Sequence, residues 1–290
     1  MRSEKEVIGQ IIELAEKDDS VRAVIRTDLK PLRKYLYSYD FYFVTDEVEK
    51  YDEDIFAECL GERILLYRGD KNYPEMFPNM KGHLMVFKDG VTIVINVIDK
   101  ETFLERYRGG QTYENVWIGD TYQLLLDKDG TLPLTDRPEE KQTLFAEKPS
   151  EEEFLNCCSE FRWVMKTFME YTLREELLSS MFYLNVAVRD LLNRMLRWYI
   201  YLKGGTAVDM GILDSNMEKL LPEEDFALYK KTYPDAEYEH ILKAYDAVNA
   251  LWHKAGCAVA ECCGYLYPQE TEDKMTEFIR ELQKSKEDGR

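Results

Sequence analysis

Apolar residues recur at helical spacing near the start of the chain, at Val7, Ile11, Ile12, Leu14 and Ala15. Ser3 and Glu6 have the spacing of a capping box, so a helix is predicted to about residue 17. The period then shortens to two. Residues 21–26 and 39–45 read as strands, joined by a polar, basic connection over 27–37 that contains Pro31. A second helix is predicted over 46–60 and a short strand over 63–67. Residues 83–87 and 91–98 flank Asp89-Gly90, and an Asp-Gly between two β-branched runs predicts a hairpin. Residues 101–107 read as a helix and 122–126 as a last strand.

Residues 127–149 carry turns, charges and several prolines. The linker is placed there, at 136–149, between a first domain (1–135) and a second (150–290). Beyond it the spacing is helical throughout. Ser150 with Glu153 is another capping box, opening a helix to about residue 171. A long helix over 173–203 is stopped by Gly204-Gly205, and further helices are predicted over 222–232, 237–263 and 270–284. The fold class is α+β: a mixed-sheet domain followed by an all-helical bundle.

Charge narrows the partners. The 290 residues hold 38 basic and 56 acidic side chains, a net charge of -18. That field repels nucleic acid and anionic lipid and favours a cationic small molecule, although solubility alone also accounts for it. No run approaches the roughly 18 apolar residues of a membrane span, and the opening Met1-Arg2-Ser3-Glu4-Lys5-Glu6 is not an apolar signal segment, so a cytoplasmic location is expected. Cys157-Cys158 and Cys262-Cys263 form no CxxC and are expected as buried, reduced thiols. His83, His240 and His253 match no metal spacing and are expected at the surface or at an interface. Tyr35, Tyr37 and Tyr39 alternate as on one half-buried strand surface, and Lys30, Arg33 and Lys34 form a small basic cluster, read as a solvated loop.

Several blocks occur in an order that resembles the aminoglycoside 6-adenylyltransferases, streptomycin-modifying members of the nucleotidyltransferase superfamily. They are Met1-Arg2-Ser3-Glu4, Val21-Arg22-Ala23-Val24-Ile25 and Tyr39-Asp40 in the first half. In the second half they are Phe161-Arg162-Trp163, Leu173-Arg174-Glu175-Glu176, the run from Leu192 to Tyr199, Leu220-Leu221-Pro222-Glu223 and Gly264-Tyr265-Leu266-Tyr267-Pro268. The resemblance implies a nucleotidyltransferase fold and transfer of AMP from ATP, with Mg²⁺, to an aminoglycoside hydroxyl.

It also implies a site that this chain keeps only in part. The superfamily cradles phosphate in a Gly-Ser turn after the first strand; here Arg26-Thr27-Asp28-Leu29 stands there, with no glycine to let backbone N–H groups approach. It holds metal on an Asp-x-Asp, two carboxylates leaving one face of a strand, plus a third Asp on a later strand. Ser38 replaces the first, Asp40 keeps the second, and Val94 aligns with the third. Asn96 shares a strand face with Val94 and, with Asp28, is a weak candidate metal ligand beside Asp40; Asp99 is of opposite parity. The family's basic stretch before the Leu-Pro turn reads Gly211 to Lys219 here, with lysines largely gone and Asp214 and Glu218 added. Glu175 and Glu176 carry two readings: cleft carboxylates that pair with an aminoglycoside's cationic groups or activate the acceptor, or first-turn acids stabilised by a helix dipole. The expectation is a family member with lost or much weakened adenylyl transfer that binds a cationic or sugar-like small molecule without cofactor. The alternative is an active Mg²⁺- and ATP-dependent transferase built around Asp40.

Overall fold

A computed structural model describes residues 1–27, 38–56, 59–72, 79–108, 123–130, 132, 148–204, 208, 210, 214–287 and 289. The chain divides into two units, Met1–Gln142 and Thr143–Arg290. Among the expected features, Asp28, the basic cluster and Tyr35 and Tyr37 lie outside the described residues.

In the first unit, α1 (Glu4–Lys17) starts where expected: the Ser3 side chain accepts from the Glu6 N–H, and the Glu6 carboxylate accepts from the Ser3 N–H. Strands β1 (Val21–Arg26) and β2 (Ser38–Thr45) follow, then a 3-10 turn at Val48–Asp52, β3 (Arg63–Arg68), a single turn α2 (Gly69–Asn72), the hairpin β4 (Met80–Phe87) and β5 (Thr92–Asp99), α3 (Lys100–Arg108) and β6 (Gln123–Asp127). The six strands run in the order β3-β4-β5-β2-β1-β6, and only β2 and β5 pair in parallel. Gly90 closes the hairpin at φ 85°, as the Asp-Gly pattern requires.

Period-two patterning assigns each face of the sheet. Tyr39, Phe41 and Phe43 of β2 with Ile93, Ile95 and Val97 of β5 join Val7, Ile11 and Ala15 of α1 in one buried cluster. On the opposite face Tyr42, Val44 and Ile98 bury against Phe103 of α3. Arg2 fastens the N-terminus to the hairpin turn. Its guanidinium and backbone N–H both donate to Asp89 (2.9 Å each), and its plane lies over Phe87.

In the second unit, α4 (Glu151–Leu173) is opened by the expected Ser150–Glu153 capping box. Then come α5 (Leu177–Phe182), a π-helical turn at Tyr183–Val188, α6 (Arg189–Gly204), α7 (Met217–Leu220), α8 (Glu223–Lys231), α9 (Tyr238–Cys263) and α10 (Gln269–Glu287). Phe161 of α4 stacks on Trp252 of α9 at 3.6 Å between ring centres, in the middle of the core. Gly256 serves close approach: a Cβ there would lie 2.6 Å from the Tyr267 ring.

Four expectations are corrected. Residues 46–60 do not form one helix. Glu49 and Glu53 repel at i, i+4, and the acids are drawn to partners elsewhere: Asp54 to Arg63 (2.8 Å) and Asp52 to Lys81 (2.8 Å). The helix expected over 173–203 begins later than expected: Leu173 ends α4, Glu175 turns left-handed (φ 60°), and the helical run then continues from Leu177 to Gly204 through the π turn. Of the paired cysteines, Cys157 and Cys158 are buried, their thiols pushed up to about 12 by burial, whereas Cys262 is exposed on the outer side of α9. His83 is fully buried in β4, edge-on to Phe56, and neither ring nitrogen has a hydrogen-bond partner.

Burial, and secondarily nearby Arg68, push the His83 pKa down to about 4 from 6.5. The folded state therefore holds the neutral ring where the unfolded chain takes up a proton. Stability from this group is complete above pH 6.5 and is lost as pH falls from 6.5 to about 4, by at most ~3 kcal/mol. Urea unfolding of the wild type and of His83→Leu across that window checks this; the variant should lose most of the slope between pH 6.5 and 4.5.

Candidate functional site

The strand face opposite α1 carries the residues of interest. Because β2 and β5 pair in parallel without a register shift, Ser38 stands beside Thr92, Asp40 beside Val94 and Tyr42 beside Asn96. Alternation along each strand sends Ser38, Asp40 and Tyr42 to one side, with Thr92, Val94 and Asn96. Toward the Thr45 end α3 covers that face through Phe103, while Ser38, Asp40, Thr92, Val94 and Asn96 are half-buried. On the next strand, Leu84 pairs with Val94 and Gly82 with Asn96.

The face thus brings Asp40, Ser38 and Val94 together in the arrangement the spacing predicts, with one carboxylate. Asn96 is on the same face but one pairing step further, beside Tyr42 rather than Asp40. Asp99 is engaged elsewhere, its carboxylate accepting from the Thr102 N–H (2.8 Å) at the start of α3. Among the described residues no three His, Cys, Asp or Glu side chains are gathered to hold a metal ion. Hard cations such as Mg²⁺ need several charged oxygens to repay dehydration, so the described donors of this face do not by themselves fit the ion.

The residue after the first strand's apolar core is also spoken for. Arg26 pairs with Phe41 across the sheet, which puts it on the α1 side. There it is buried, donates to Glu4 (2.6 Å) and lies 5.5 Å from the Tyr39 ring centre. Its charge serves the attachment of α1 and is directed away from Asp40's face.

In the second unit, Glu175 and Glu176 lie between α4 and α5 and are exposed. Glu175 is not in a first helical turn. It sits at the left-handed break, and its carboxylate pairs with Lys286 of α10 at 2.9 Å, which lowers its pKa. Glu176 caps α5 by position but makes no side-chain cap bond. His240 meets Asp235 (2.7 Å) and His253 meets Glu272 (3.3 Å), both local contacts. Asp214 is not a free acid: it is buried and bound bidentately by Arg197. Sequence reasoning misses this pair because Arg197 lies inside a block whose apolar spacing dominates, and its partner is 17 residues away.

A mixed sheet with a parallel β2–β5 pair bearing a motif carboxylate, followed by a helical region, defines a nucleotidyltransferase-like protein. Residues 1–282 match the sequence profile of the streptomycin adenylyltransferase family, and the chain belongs to that family. It is 28% identical to an aminoglycoside 6-adenylyltransferase of Bacillus subtilis (strain 168), over 96% of this chain and 98% of the relative. It is 29% identical to an aminoglycoside 6-adenylyltransferase of Campylobacter jejuni, over 98% and 97%. A crystal structure of the aminoglycoside 6-adenyltransferase from Bacillus subtilis aligns over 97% of this chain and 99% of that one, at 25% identity and a TM-score of 0.45. No described helix is long and apolar enough to cross a membrane.

If the number of carboxylates limits metal binding on this face, adding acids raises it. Ser38→Asp with Val94→Asp puts three acids on one face and should raise Mn²⁺ affinity at least tenfold over wild type, read by calorimetry or water-proton relaxation. Adding Asp40→Asn to that pair should remove most of the gain.

Proposed function

We propose that this chain keeps the family's scaffold while its transfer of adenylyl groups from ATP is lost or much weakened. The supporting observation is the β2–β5 register: it sets Asp40 beside Val94 and Ser38 beside Thr92, so that the described residues of this face offer one carboxylate where two-metal or single-metal phosphoryl chemistry draws on several. Arg26 adds to it, since the residue at the start of the phosphate-binding turn spends its charge on Glu4. What remains suits a small cationic or sugar-like ligand, which the net charge of -18 attracts and which needs neither ATP nor Mg²⁺. A transferase using Asp40 with Asp28 or Asn96 is the second reading, and the strand face that Asn96 shares with Asp40 favours it.

The experiment is a calorimetric titration of ATP with and without Mg²⁺, followed by an assay of adenylyl transfer to streptomycin. The expected outcome is no magnesium-dependent ATP binding at sub-millimolar strength and no transfer above that of Asp40→Ala. Magnesium-dependent binding that Asp40→Ala abolishes would overturn the reading in favour of the second.

A further inference from the structure

A row of apolar side chains runs along the outside of α5 and the π turn that follows it. Leu178, Phe182 and Val186 are 86%, 59% and 53% exposed and stand four residues apart. Exposed apolar residues scattered singly are ordinary, but a contiguous row of them marks a surface for a partner. The backbone keeps the row straight. At roughly 3.6 residues per turn, a four-residue step on an α-helix overshoots one turn. Leu178 to Phe182 is such a step. Phe182 to Val186 crosses the π turn (Tyr183–Val188), whose wider i→i+5 winding holds more residues per turn, so that step falls short and cancels the overshoot. Leu178 and Val186 are thereby set nearly in line, with Phe182 between them.

The same spacing continues to a charge at either end: Arg174 four residues before Leu178, and Asp190 four residues after Val186. Arg174 is exposed, and among the described residues no carboxylate pairs with it; its guanidinium lies 5.8 Å from the Tyr171 ring centre. Tyr171 stacks on Tyr183 (5.2 Å between ring centres), and Tyr183 meets Phe182 edge-on (5.9 Å). These ring contacts connect Arg174 to the middle of the row, although Glu175 breaks the helix between them. Asp190 accepts from Arg194 (3.1 Å) and its side chain is 54% exposed. The row thus reads basic, apolar, aromatic, apolar, acidic. Turned end for end it is its own complement: about a two-fold axis at Phe182, Leu178 meets Val186 and Arg174 meets Asp190, the self-matching that an isologous interface requires. The net charge of -18 repels a second copy at long range, but salt screens that field beyond about 8 Å, where contact pairs still act. Three apolar side chains offer less than the roughly 800 Å² per partner of a standard interface, so the association is weak.

We propose that the Leu178–Phe182–Val186 row is the centre of an isologous interface, and that its occupant is the same row of a second copy of this chain, packed antiparallel with an Arg174–Asp190 pair at each end. The row belongs to the helical unit and rests on neither Asp40 nor the loss of adenylyl transfer.

The test is sedimentation velocity of the full chain from about 5 to about 500 µM at physiological salt. Wild type should pass from monomer to dimer in this range. Phe182→Asp sets two carboxylates against each other on the axis and should weaken dimerisation at least tenfold. Arg174→Asp and Asp190→Arg each put like charges at both ends and should each weaken it severalfold. An equimolar mixture of those two variants gives both ends opposite charges again and should dimerise as tightly as wild type, a recovery that a merely structural role for either residue does not produce. A wild type that stays monomeric at the highest concentration overturns the proposal, as does a dimer that Phe182→Asp leaves intact or a mixture that associates no better than its components. All three positions are exposed, and circular dichroism checks that each variant is folded. Should Asp190→Arg not fold, Leu178→Arg mixed with Val186→Glu makes the same comparison, and a mixture that recovers no association overturns the proposal. Flotation with phosphatidylcholine vesicles tests the other occupant: a monomer that floats, and that Phe182→Asp releases, assigns the row to a lipid surface and overturns self-association. Because no magnesium or ATP is present and no transfer is measured, the result is independent of whether adenylyl transfer survives.

Discussion

The parallel pairing of β2 with β5 is the constraint on which the first unit depends. These are the two central strands, and one face of each is sealed against α1 by Phe41, Phe43, Ile95 and Val97, all at or near zero exposure. Side chains alternate with a period of two, so a slip of one residue would carry that apolar set to the opposite face. Burying side chains of this size is worth about 1.5–3 kcal/mol each, which makes a slipped register prohibitively unstable. The hydrophobic face therefore dictates the polar one. Asp40 must stand beside Val94, and no sliding of the strands can bring another acid to it.

The arginines show a second regularity. Arg2 is held by Asp89, Arg26 by Glu4, Arg162 by Glu272 at 2.7 Å, and Arg197 by Asp214. Each lies at a junction: the N-terminus to the hairpin turn, α1 to β1, α4 to α10, and α6 to the residues before α7. Partly buried pairs of this kind contribute modestly as pairs, but removing one partner leaves a charge away from water at a cost of several kcal/mol. They specify how elements meet more than they add to net stability. Arg189 departs from this pattern, paired with a hydroxyl, a carbonyl and two aromatic rings instead of a carboxylate. In a chain with eighteen more acids than bases, a lack of carboxylates cannot explain it.

Features governed by neighbours in sequence were legible from the chain. Both capping boxes, the Asp-Gly hairpin, the strand alternation and the parity of Ser38, Asp40 and Val94 follow from spacings of a few residues. What escaped was decided by distant partners. Residues 46–60 have helical apolar spacing but give their acids to Arg63 and Lys81. His83 shares the parity of Lys81, Met85 and Phe87 on β4, and only the packing of Phe56 shows that it points inward. Asp214 read as an added negative charge, yet its field is largely cancelled by a guanidinium one helix away. Sequence spacing locates a charge along the chain, whereas its chemical meaning depends on its counter-ion.

The partial loss of the motif also has an energetic logic. Carboxylates clustered without a cation repel one another and lose hydration, so an unused metal site is a liability to the fold. On the proposed reading Val94, paired with Leu84 on the neighbouring strand, and Ser38, half-buried, each stand where a charge would otherwise be. Both changes fall on the face away from α1, where the main core is not involved. A scaffold whose stability resides on one face of its sheet can therefore lose chemistry on the other without unfolding. That separation lets family membership over nearly the whole chain coexist with the proposed reduction of the site to Asp40.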